Sequence, residues 1–470
     1  MGRVAEARQA LRPGASDWGT LPPVLRSLRA LILFWTVFAS YGLEWALGHV
    51  LPEAMVRARM ERAHRRNARR LARGFSQLRG VFIKMGQVLS VMGTFLPAAY
   101  GEELEQLQDR VPPRPFSEIE GRLVEAFGTE ALSRFASFEQ EPIAAASLAQ
   151  VHRATTLDGR DLAVKVLYPG VERLIQRDLA VLRSLLPVVR RLFPISRVER
   201  NLDQLEAMLA RETDYAHERT NMARMREIFS AREDVIIPEV IDELTGGGVL
   251  SMSFEEGIKV TDVETQRQHG IDPESVARLL VEAYFVMLFD HGIFHADPHP
   301  GNFLVRQGPR LVVLDFGAVE AVTPALSEGM KTVVLGAITR NDDEILKGLE
   351  RMGFVAEGGD RELLAAVGRE YLRVLSSVRI DDFSKIDRNV VEKLTGYQQI
   401  RGKLREVMRS VEYPEGYFYV ERTMALLFGL VGQLAPKVGL PGLVLPHASK
   451  AFARGLAMPR PKPAPEAPPA

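Results

Sequence analysis

The sequence predicts an α+β fold with two lobes, a small lobe with antiparallel strands and a larger, mostly helical lobe. Residues 142–166 hold two strand-like stretches around the turn at residues 157–160, and the second stretch alternates as a strand does. Residues 273–291 repeat apolar side chains at helical spacing. Residues 303–314 form two apolar runs around Gln307-Gly308-Pro309, which is the pattern of a β-hairpin.

Polar residues that flank this hairpin indicate a phosphate-transfer site. Residues 295–302 read HADPHPGN, and Asp315-Phe-Gly317 begins thirteen positions after Asn302. A kinase catalytic loop reads H-x-D-x-x-x-x-N, and the metal-binding D-F-G follows it. The hairpin would bring Asn302 and Asp315 together, so that both could hold magnesium on a nucleotide while Asp297 serves as the catalytic aspartate. An ordinary hairpin with scattered polar residues is the alternative.

The predicted small lobe starts with an alanine-rich loop. Ala144, Ala146 and Ala149 repeat the spacing G-x-G-x-x-G, with alanine at each glycine position. Alanine keeps the backbone N–H groups that could bind phosphate, but its Cβ removes most positive-φ freedom, so we expect a stiffer loop. A packed helix or strand would also explain the alanines, but Lys165 on the following strand favours a nucleotide site. The residues predicted to contact the nucleotide are Ala144, Ala145, Ala146, Ser147, Ala149, Val151, Lys165, Met252 and Glu255.

Lys165 needs a carboxylate that holds it over the α- and β-phosphates. Glu212, in a long amphipathic stretch at about residues 198–229, is the preferred partner. Asp214 and Glu218 are alternatives, because positions four apart share a helix face. A solvated helix face is the competing explanation for any single acid in this stretch.

The run at residues 248–257 predicts a strand that leads into a connector at the position of a kinase hinge. Met252 and Glu255 would contact adenine there. The predicted organisation is an N-terminal helical extension, a small lobe, a large lobe with a C-terminal helical region, and a proline-rich disordered tail, at residues 1–115, 116–257, 258–455 and 456–470.

Further motifs indicate a family. Residues 82–87 read FIKMGQ, with the pattern K-x-G-Q, and residues 103–113 read ELEQLQDRVPP. With the alanine-rich loop, the Glu212/Asp214 pair and the catalytic loop, they resemble the UbiB/AarF family of atypical kinase-like proteins over roughly residues 25–330.

The resemblance implies a kinase-fold protein that binds ATP and Mg²⁺ and whose helical extension covers the site where a protein substrate would dock. It also implies that Lys84 and Gln87 enter the nucleotide pocket and act with the catalytic residues. Positions three apart share a helix face, which permits this arrangement. A surface lysine on an amphipathic helix is the alternative for Lys84. Gly80, Gly86 and Gly93 predict close packing of this helix against the small lobe.

Composition limits the remaining functions. The 470 residues contain 60 Lys+Arg and 60 Asp+Glu, so the zero net charge gives no indication of nucleic acid binding. The chain has no cysteine, which excludes disulfides, thiolate metal sites and cysteine nucleophiles.

Two N-terminal segments bear on membrane contact. Residues 30–43 are an uncharged run of 14 residues, short of the roughly 20 that span a bilayer, so we expect a packed or interfacial helix. Residues 57–73 contain eight arginines opposed only by Glu61. A solvated helix face is the usual explanation, and anionic lipid headgroups are the alternative partner.

Residues 424–445 are interrupted by prolines and a lysine and predict no span. We expect a cytoplasmic protein, peripheral at a membrane.

Two classes of function remain open. The first is a magnesium-dependent ATPase or phosphotransferase of the UbiB type that supports isoprenoid quinone (ubiquinone) or other lipid metabolism. The second is a non-catalytic, nucleotide-sensing scaffold for lipid-pathway enzymes at a membrane. Intact Lys165, Asp297, Asn302 and Asp315 favour the enzyme. An aminoglycoside-type phosphotransferase shares the catalytic-loop pattern but lacks K-x-G-Q. The expected partners are ATP, isoprenoid or quinone lipids, an anionic membrane surface and lipid-biosynthesis enzymes, with no nucleic acid.

Overall fold

The fold is that of a computed structural model, which describes residues 22–91, 97–104, 113–192, 198–339, 341–356 and 416–435 together with residues 107, 361 and 414. The predicted tail at residues 456–470 lies outside the described residues. The chain divides into two compact units. The first holds Met1–His217 with Val240–Phe254, and the second holds Glu218–Glu239 with Glu255–Ala470. The domain boundaries drawn from the sequence stay predictions.

Helices alternate with short strands along the described chain. The helices are α1 (Pro23–Gly48), α2 (Glu53–Leu78), α3 (Val81–Val91), α4 (Ala98–Leu104), α5 (Phe116–Phe127), α6 (Val171–Leu192), α7 (Val198–Glu212), α8 (Tyr215–Ile228), α9 (Val263–Gln268), α10 (Pro273–Phe285), α11 (Pro324–Thr339), α12 (Asp342–Met352) and α13 (Tyr417–Leu434). The strands are β1 (Phe135–Ala145), β2 (Ala149–Thr156), β3 (Asp161–Leu167), β4 (Val235–Ile236), β5 (Val249–Ser253), β6 (Ile258–Lys259), β7 (Ile293–His295), β8 (Phe303–Arg306), β9 (Arg310–Val313) and β10 (Val319–Ala321).

The sheet of the first unit has the order β1-β2-β3-β5, and all its pairs are antiparallel. The predicted turn connects β2 and β3, and the Arg160 amide donates to the Thr156 hydroxyl at 2.8 Å across it. Within the sheet, Lys165 pairs with Val151 on one side and with Leu250 on the other. The side chains of β3 alternate between buried and partly exposed positions, so the lysine lies on the open face while Val164 and Val166 enter the core.

The N-terminal helices α1 to α4 pack on one another, and α1 and α3 also pack on α6. Between α2 and α3 the backbone turns sharply, with positive φ at both Arg79 and Gly80. The buried guanidinium of Arg26 forms hydrogen bonds with the carbonyl oxygens of Leu78 and Arg79. These bonds satisfy two of the carbonyls that every helix C-terminus leaves unpaired, and they place a positive charge where the helix dipole is negative.

Small residues let these helices approach closely. A Cβ at Gly86 of α3 would meet the side chains of Phe75 of α2 and Leu107. At this position the close packing predicted for the helix is therefore made with α2 and Leu107. Gly93 lies outside the described residues.

The helix α1 is longer than the uncharged run within it. By length and composition its stretch Val24–Gly48 could cross a membrane, although the core helix of a water-soluble protein and a signal sequence meet the same criterion. Arg26 near its start is buried, whereas Ile32, Trp35 and Trp45 are exposed. The helix is thus apolar on a face that the described residues leave uncovered.

The second unit contains two small sheets, with strand orders β4-β9-β8-β6 and β10-β7. Strands β8 and β9 form the predicted hairpin, in which Phe303 pairs with Val313, and its turn uses a positive φ at Gly308 that glycine adopts without strain. The helix predicted over residues 273–291 is α10, which continues as one π-helical turn, Val286–His291. Asp272 caps its start by accepting hydrogen bonds from two backbone amides, as a good N-cap residue does.

Candidate functional site

The residues predicted from the motifs are distributed over both units. The first unit carries the alanine-rich loop, Lys165, Met252 and the K-x-G-Q helix. The second carries Glu255, the catalytic loop and the D-F-G sequence.

The alanine-rich loop is a tight turn between β1 and β2. The Ala146 amide donates to the Ala149 carbonyl oxygen at 2.8 Å. Ala144 and Ala146 are exposed, Ala145, Ser147 and Val151 are partly exposed, and Ala149 is buried. Among the described residues, Arg79 is the only non-glycine residue with positive φ. The loop therefore uses only backbone conformations that alanine allows, and its stiffness stays a prediction.

Tyr168 holds this loop in place through two hydrogen bonds. Its hydroxyl donates to the Ala146 carbonyl oxygen at 3.2 Å, and its backbone amide donates to the Leu148 carbonyl oxygen at 3.0 Å. The Arg114 guanidinium lies 4.1 Å from the centre of the Tyr168 ring, within the range of a cation–π interaction. Burial raises the pKa of Tyr168 to about 12, so its hydroxyl stays protonated and able to donate at neutral pH.

Lys165 lies beside an aromatic ring. Its ammonium nitrogen is 5.2 Å from the centre of the Tyr215 ring. Met252 is buried on the neighbouring strand β5 and pairs with Ala163. In the second unit, Glu255 forms an ion pair with Arg306 at 2.9 Å.

The K-x-G-Q helix α3 presents Lys84 to an acid of α7. The Lys84 ammonium forms an ion pair with Glu212, the residue that the sequence assigned to Lys165 as its preferred partner. Both side chains are partly exposed, at 23% and 31%. Asp214, one alternative partner, accepts a hydrogen bond from the His217 amide at 2.9 Å and thereby caps α8. The side chain of Gln87 lies outside the described ones.

Glu218, the other alternative, is almost fully buried and faces the D-F-G sequence. Its carboxylate accepts a hydrogen bond from the Phe316 amide at 3.4 Å, and the Asn221 side-chain amide donates to the Phe316 carbonyl oxygen at 2.9 Å. Positions 218 and 221 share a face of α8, so one helix holds both polar backbone groups of Phe316. The sequence did not single out Asn221, although the spacing of three residues from Glu218 was a usable signal.

His295 connects the catalytic loop to the D-F-G sequence. Its Nε2 lies 2.6 Å from the Asp315 carbonyl oxygen, and its Nδ1 accepts from the Asp297 amide at 3.2 Å. These two contacts assign the tautomer with the proton on Nε2. Strand β7 also pairs with β10, which follows the D-F-G sequence. A single buried imidazole therefore fixes the backbone at Asp297, the predicted catalytic aspartate, and at Asp315, a predicted magnesium ligand.

Asn302 and Asp315 fit the donor set that magnesium prefers. The Asn302 side-chain NH₂ donates to the Asp297 carbonyl oxygen at 3.1 Å, which leaves its amide oxygen as the ligating atom. One oxygen of Asp315 accepts from the Gly317 amide at 3.1 Å. Magnesium is usually held by one or two protein oxygen ligands together with substrate phosphates and water. Among the described residues no cluster of three or more acidic or histidine side chains could hold a metal alone, so the ion would depend on the nucleotide as well.

The fold and these motifs define a kinase-like protein. A family model described as the ABC1 atypical kinase-like domain matches residues 106–349, which is more than half of the chain. The chain therefore belongs to the ABC1 family of atypical kinase-like proteins, which is the UbiB/AarF family indicated by its motifs. The α+β kinase-like fold predicted from the sequence is confirmed.

Named relatives agree with this assignment. The chain is 30% identical over 409 residues to the chloroplastic protein Activity of BC1 complex kinase 8 of Arabidopsis thaliana, covering 81% of this chain and 53% of that protein. It is 38% identical over 265 residues to AarF domain-containing protein kinase 1 of Xenopus tropicalis, covering 55% of this chain and 51% of that protein. The chain thus spans about half the length of these relatives.

One solved structure is similar over most of its length. The Rv3197–erythromycin complex from Mycobacterium tuberculosis superposes with a TM-score of 0.54 at 27% identity, covering 78% of this chain and 94% of that one.

Proposed function

We propose that the chain is a magnesium-dependent ATPase or phosphotransferase of the ABC1 family that supports isoprenoid quinone or other lipid metabolism. The observation that carries this proposal is the connection of Asp297 and Asp315 through the buried His295. Such an arrangement is expected where both carboxylates must keep fixed positions during phosphoryl transfer, which depends mostly on positioning and charge neutralisation.

Each motif position then has one task. Lys165 binds the oxygens of the α- and β-phosphates, and the backbone amides of the alanine-rich loop donate to phosphate. Asn302 and Asp315 hold magnesium, which neutralises charge on the phosphates when bound. Asp297 accepts a hydrogen bond from the attacking hydroxyl or water and orients it toward the γ-phosphorus. The products are ADP and either a phosphorylated acceptor or inorganic phosphate.

Replacing Asp315 with Asn tests the proposed function. The variant loses a charged magnesium ligand, so we expect ATP hydrolysis to be abolished and magnesium-dependent nucleotide binding to weaken. Asp343→Asn on the exposed start of α12 makes the same chemical change away from the motifs and serves as the control. Undiminished ATP hydrolysis in Asp315→Asn would exclude the assigned role.

A non-catalytic, nucleotide-sensing scaffold is the second candidate, and the ion pair between Lys84 and Glu212 favours it. A lysine from the extension neutralises an acid that a kinase would use to hold its phosphate-binding lysine. Labelled ATP incubated with and without lipid extract separates the two functions. Transfer of label to a lipid-soluble product supports the phosphotransferase, whereas nucleotide binding without any product supports the scaffold.

The ion pair between Lys84 and Glu212 and the alanine-rich loop predict the effects of two substitutions. Lys84→Ala and Ala146→Gly should alter nucleotide preference or release autophosphorylation, because Lys165 and magnesium remain to hold the phosphates. Nucleotide binding and autophosphorylation of both variants are compared with wild type at fixed magnesium. If both variants behave as wild type, Lys84 has no role at the nucleotide site and the extension is not a lid.

We also propose that the chain lies peripherally on a cytoplasmic membrane surface, where it meets lipid-biosynthesis enzymes. The exposed side chains of Leu28, Ile32 and Trp35 share a shallow apolar groove on α1. Arginines on α2 line a second groove, at positions 62, 65, 66, 69, 70 and 73.

Two of these arginines, and Arg59 on the same helix, have carboxylate partners that the local sequence did not reveal. Glu44 lies 2.8 Å from Arg59 and 3.6 Å from Arg66, and Glu103 lies 2.9 Å from Arg69. The apolar groove should therefore contribute more to membrane binding than the arginines do. We expect Ile32→Ser with Trp35→Ser to abolish co-flotation with vesicles of phosphatidylcholine and phosphatidylglycerol. Flotation of the double variant at wild-type levels would contradict the peripheral site.

A further inference from the structure

The helix α13 lies outside the region matched by the family model, yet it contacts the catalytic loop. It packs on α10 and buries Val420 and Leu427, which share one face with Thr423. Thr423 is completely buried, and its hydroxyl donates to the Ala296 carbonyl oxygen at 3.1 Å. Ala296 directly precedes Asp297, so this hydrogen bond ends on the peptide group that leads into the proposed catalytic aspartate.

Both polar backbone groups of Ala296 are fixed by other elements. Its amide donates to the Ala318 carbonyl oxygen at 2.6 Å, on the segment after D-F-G, and its carbonyl accepts from Thr423. A buried carbonyl without a donor is costly, so the peptide plane between Ala296 and Asp297 has one favoured orientation. The orientation of this plane sets the direction in which the Asp297 side chain leaves the backbone.

The residue before Thr423 reaches the Asp297 side chain itself. The Arg422 Nη2 lies 4.0 Å from the Asp297 Oδ1, and both side chains are about two-fifths exposed. This separation is longer than that of a direct charge-assisted hydrogen bond, which is about 2.7–2.9 Å. The guanidinium therefore attracts the carboxylate without forming a direct hydrogen bond to it, and Asp297 can still bind the phosphate acceptor.

We propose that α13 is a working part of the phosphoryl-transfer site, in which Thr423 and Arg422 are positioning residues for Asp297. Thr423 fixes the peptide group in front of the aspartate, and Arg422 restrains its carboxylate. The inference rests on the proposed function, because it assigns these residues to the reaction in which Asp297 orients the acceptor. The contacts of Thr423 and Arg422 are with the peptide group in front of Asp297 and with its carboxylate, so we expect both residues to act on turnover and to leave nucleotide binding unchanged.

The test compares Thr423→Val, which removes the hydroxyl at constant size, with Thr423→Ser, which keeps it. We expect Thr423→Val to lower kcat for ATP hydrolysis about tenfold with KM for ATP within twofold of wild type, because small misplacements of a catalytic group are costly. Thr423→Ser should recover most of this loss. Arg422→Gln should lower kcat severalfold at low salt, and Arg422→Lys should recover part of it. Arg267→Gln, at an exposed arginine of α9, is the control for charge alone and should behave as wild type.

A second measurement is independent of activity. Hydrogen exchange of the full chain should show faster exchange at the amides of residues 295–297 in Thr423→Val, with exchange restored in Thr423→Ser. If wild type hydrolyses no ATP but Thr423→Val still loosens these amides, the proposed function fails and the positioning contact stands. Wild-type kcat together with wild-type exchange in Thr423→Val overturns the inference. Arg422 is exposed, so its variants test the same idea if Thr423→Val does not fold.

Discussion

The buried ion pair between Arg26 and Asp178 predicts an asymmetric response to mutation. The two side chains are 2% and 1% exposed, and the guanidinium binds both carboxylate oxygens, at 3.0 and 2.6 Å. Burial raises the pKa of Asp178, and the Arg26 guanidinium opposes this shift. An arginine that loses its partner cannot release its proton, whereas an aspartate that loses its partner can take one up.

Asp178→Leu should therefore be the more damaging change. Breaking a buried pair by removing one partner costs about 3–5 kcal/mol, and we expect Asp178→Leu to lower the free energy of unfolding by this amount at any pH between 5 and 8. Arg26→Met should cost less, and its cost should shrink toward pH 5. The reason is that burial raises the pKa of Asp178 and the variant lacks the guanidinium that opposes this shift, so its carboxyl takes up a proton at higher pH than in wild type and the variant regains stability as pH falls.

The double variant Arg26→Met/Asp178→Leu should recover most of the loss, because an apolar pair of similar volume is often as stable as a buried ion pair. It should stay about 1–3 kcal/mol below wild type, since the carbonyl oxygens of Leu78 and Arg79 lose their donor.

Tryptophan fluorescence during urea unfolding measures the free energy of unfolding of each variant. The three tryptophans of the chain are Trp18, Trp35 and Trp45, and the two that the structure describes, Trp35 and Trp45, belong to the first unit, as do Arg26 and Asp178. Equal costs for the two single variants at pH 5 and pH 8, or costs below 1 kcal/mol for both, would refute the reasoning.

Three further predictions concern single residues of the first unit. Tyr168→Phe removes the hydroxyl that holds the Ala146 carbonyl, so we expect magnesium–ATP affinity, measured by calorimetry, to fall by up to about tenfold with little change in unfolding free energy. Burial lowers the pKa of His152, so its contribution to stability is present above pH 6.5 and is lost as pH falls through the folded-state pKa. The urea midpoint of unfolding should fall between pH 7 and pH 5, and His152→Gln should make this fall smaller. The fall that remains should come from His64, whose pKa is also lowered by burial. Gly86→Ala places a methyl group against the Phe75 ring of α2 and should destabilise the first unit by about 1–3 kcal/mol in the same urea assay. An unchanged free energy of unfolding would mean that α3 shifts freely to make room.

Local patterns in the sequence predicted the parts of the fold that depend on neighbouring residues. The β8–β9 hairpin follows from two apolar runs around turn residues and α10 follows from apolar periodicity, and both elements are confirmed. The family followed from motif spacing, because K-x-G-Q and the catalytic loop each fit within ten residues.

Contacts between distant segments could not be obtained in this way. The pairing of Lys84 with Glu212 joins positions 128 residues apart, and no periodicity specifies which of several acids a lysine meets. The arginines of α2 appeared almost unopposed in the local sequence, but their partners Glu44 and Glu103 come from neighbouring helices. The bond from Thr423 to Ala296 depends on a helix that begins more than a hundred residues after the loop it contacts.

The attachment of Phe316 to α8 has a consequence for the choice of inhibitors. Kinases switch between active and inactive forms by moving the D-F-G phenylalanine, and some ligands bind only after it has moved. Here the ring is 1% exposed, and its amide and carbonyl are held by Glu218 and Asn221. A ligand that needs the phenylalanine displaced would have to break both hydrogen bonds and empty a buried site. Compound libraries for this protein should therefore favour molecules that bind while Phe316 stays in its buried position. Asn221→Ala should make the protein sensitive to ligands that need Phe316 displaced.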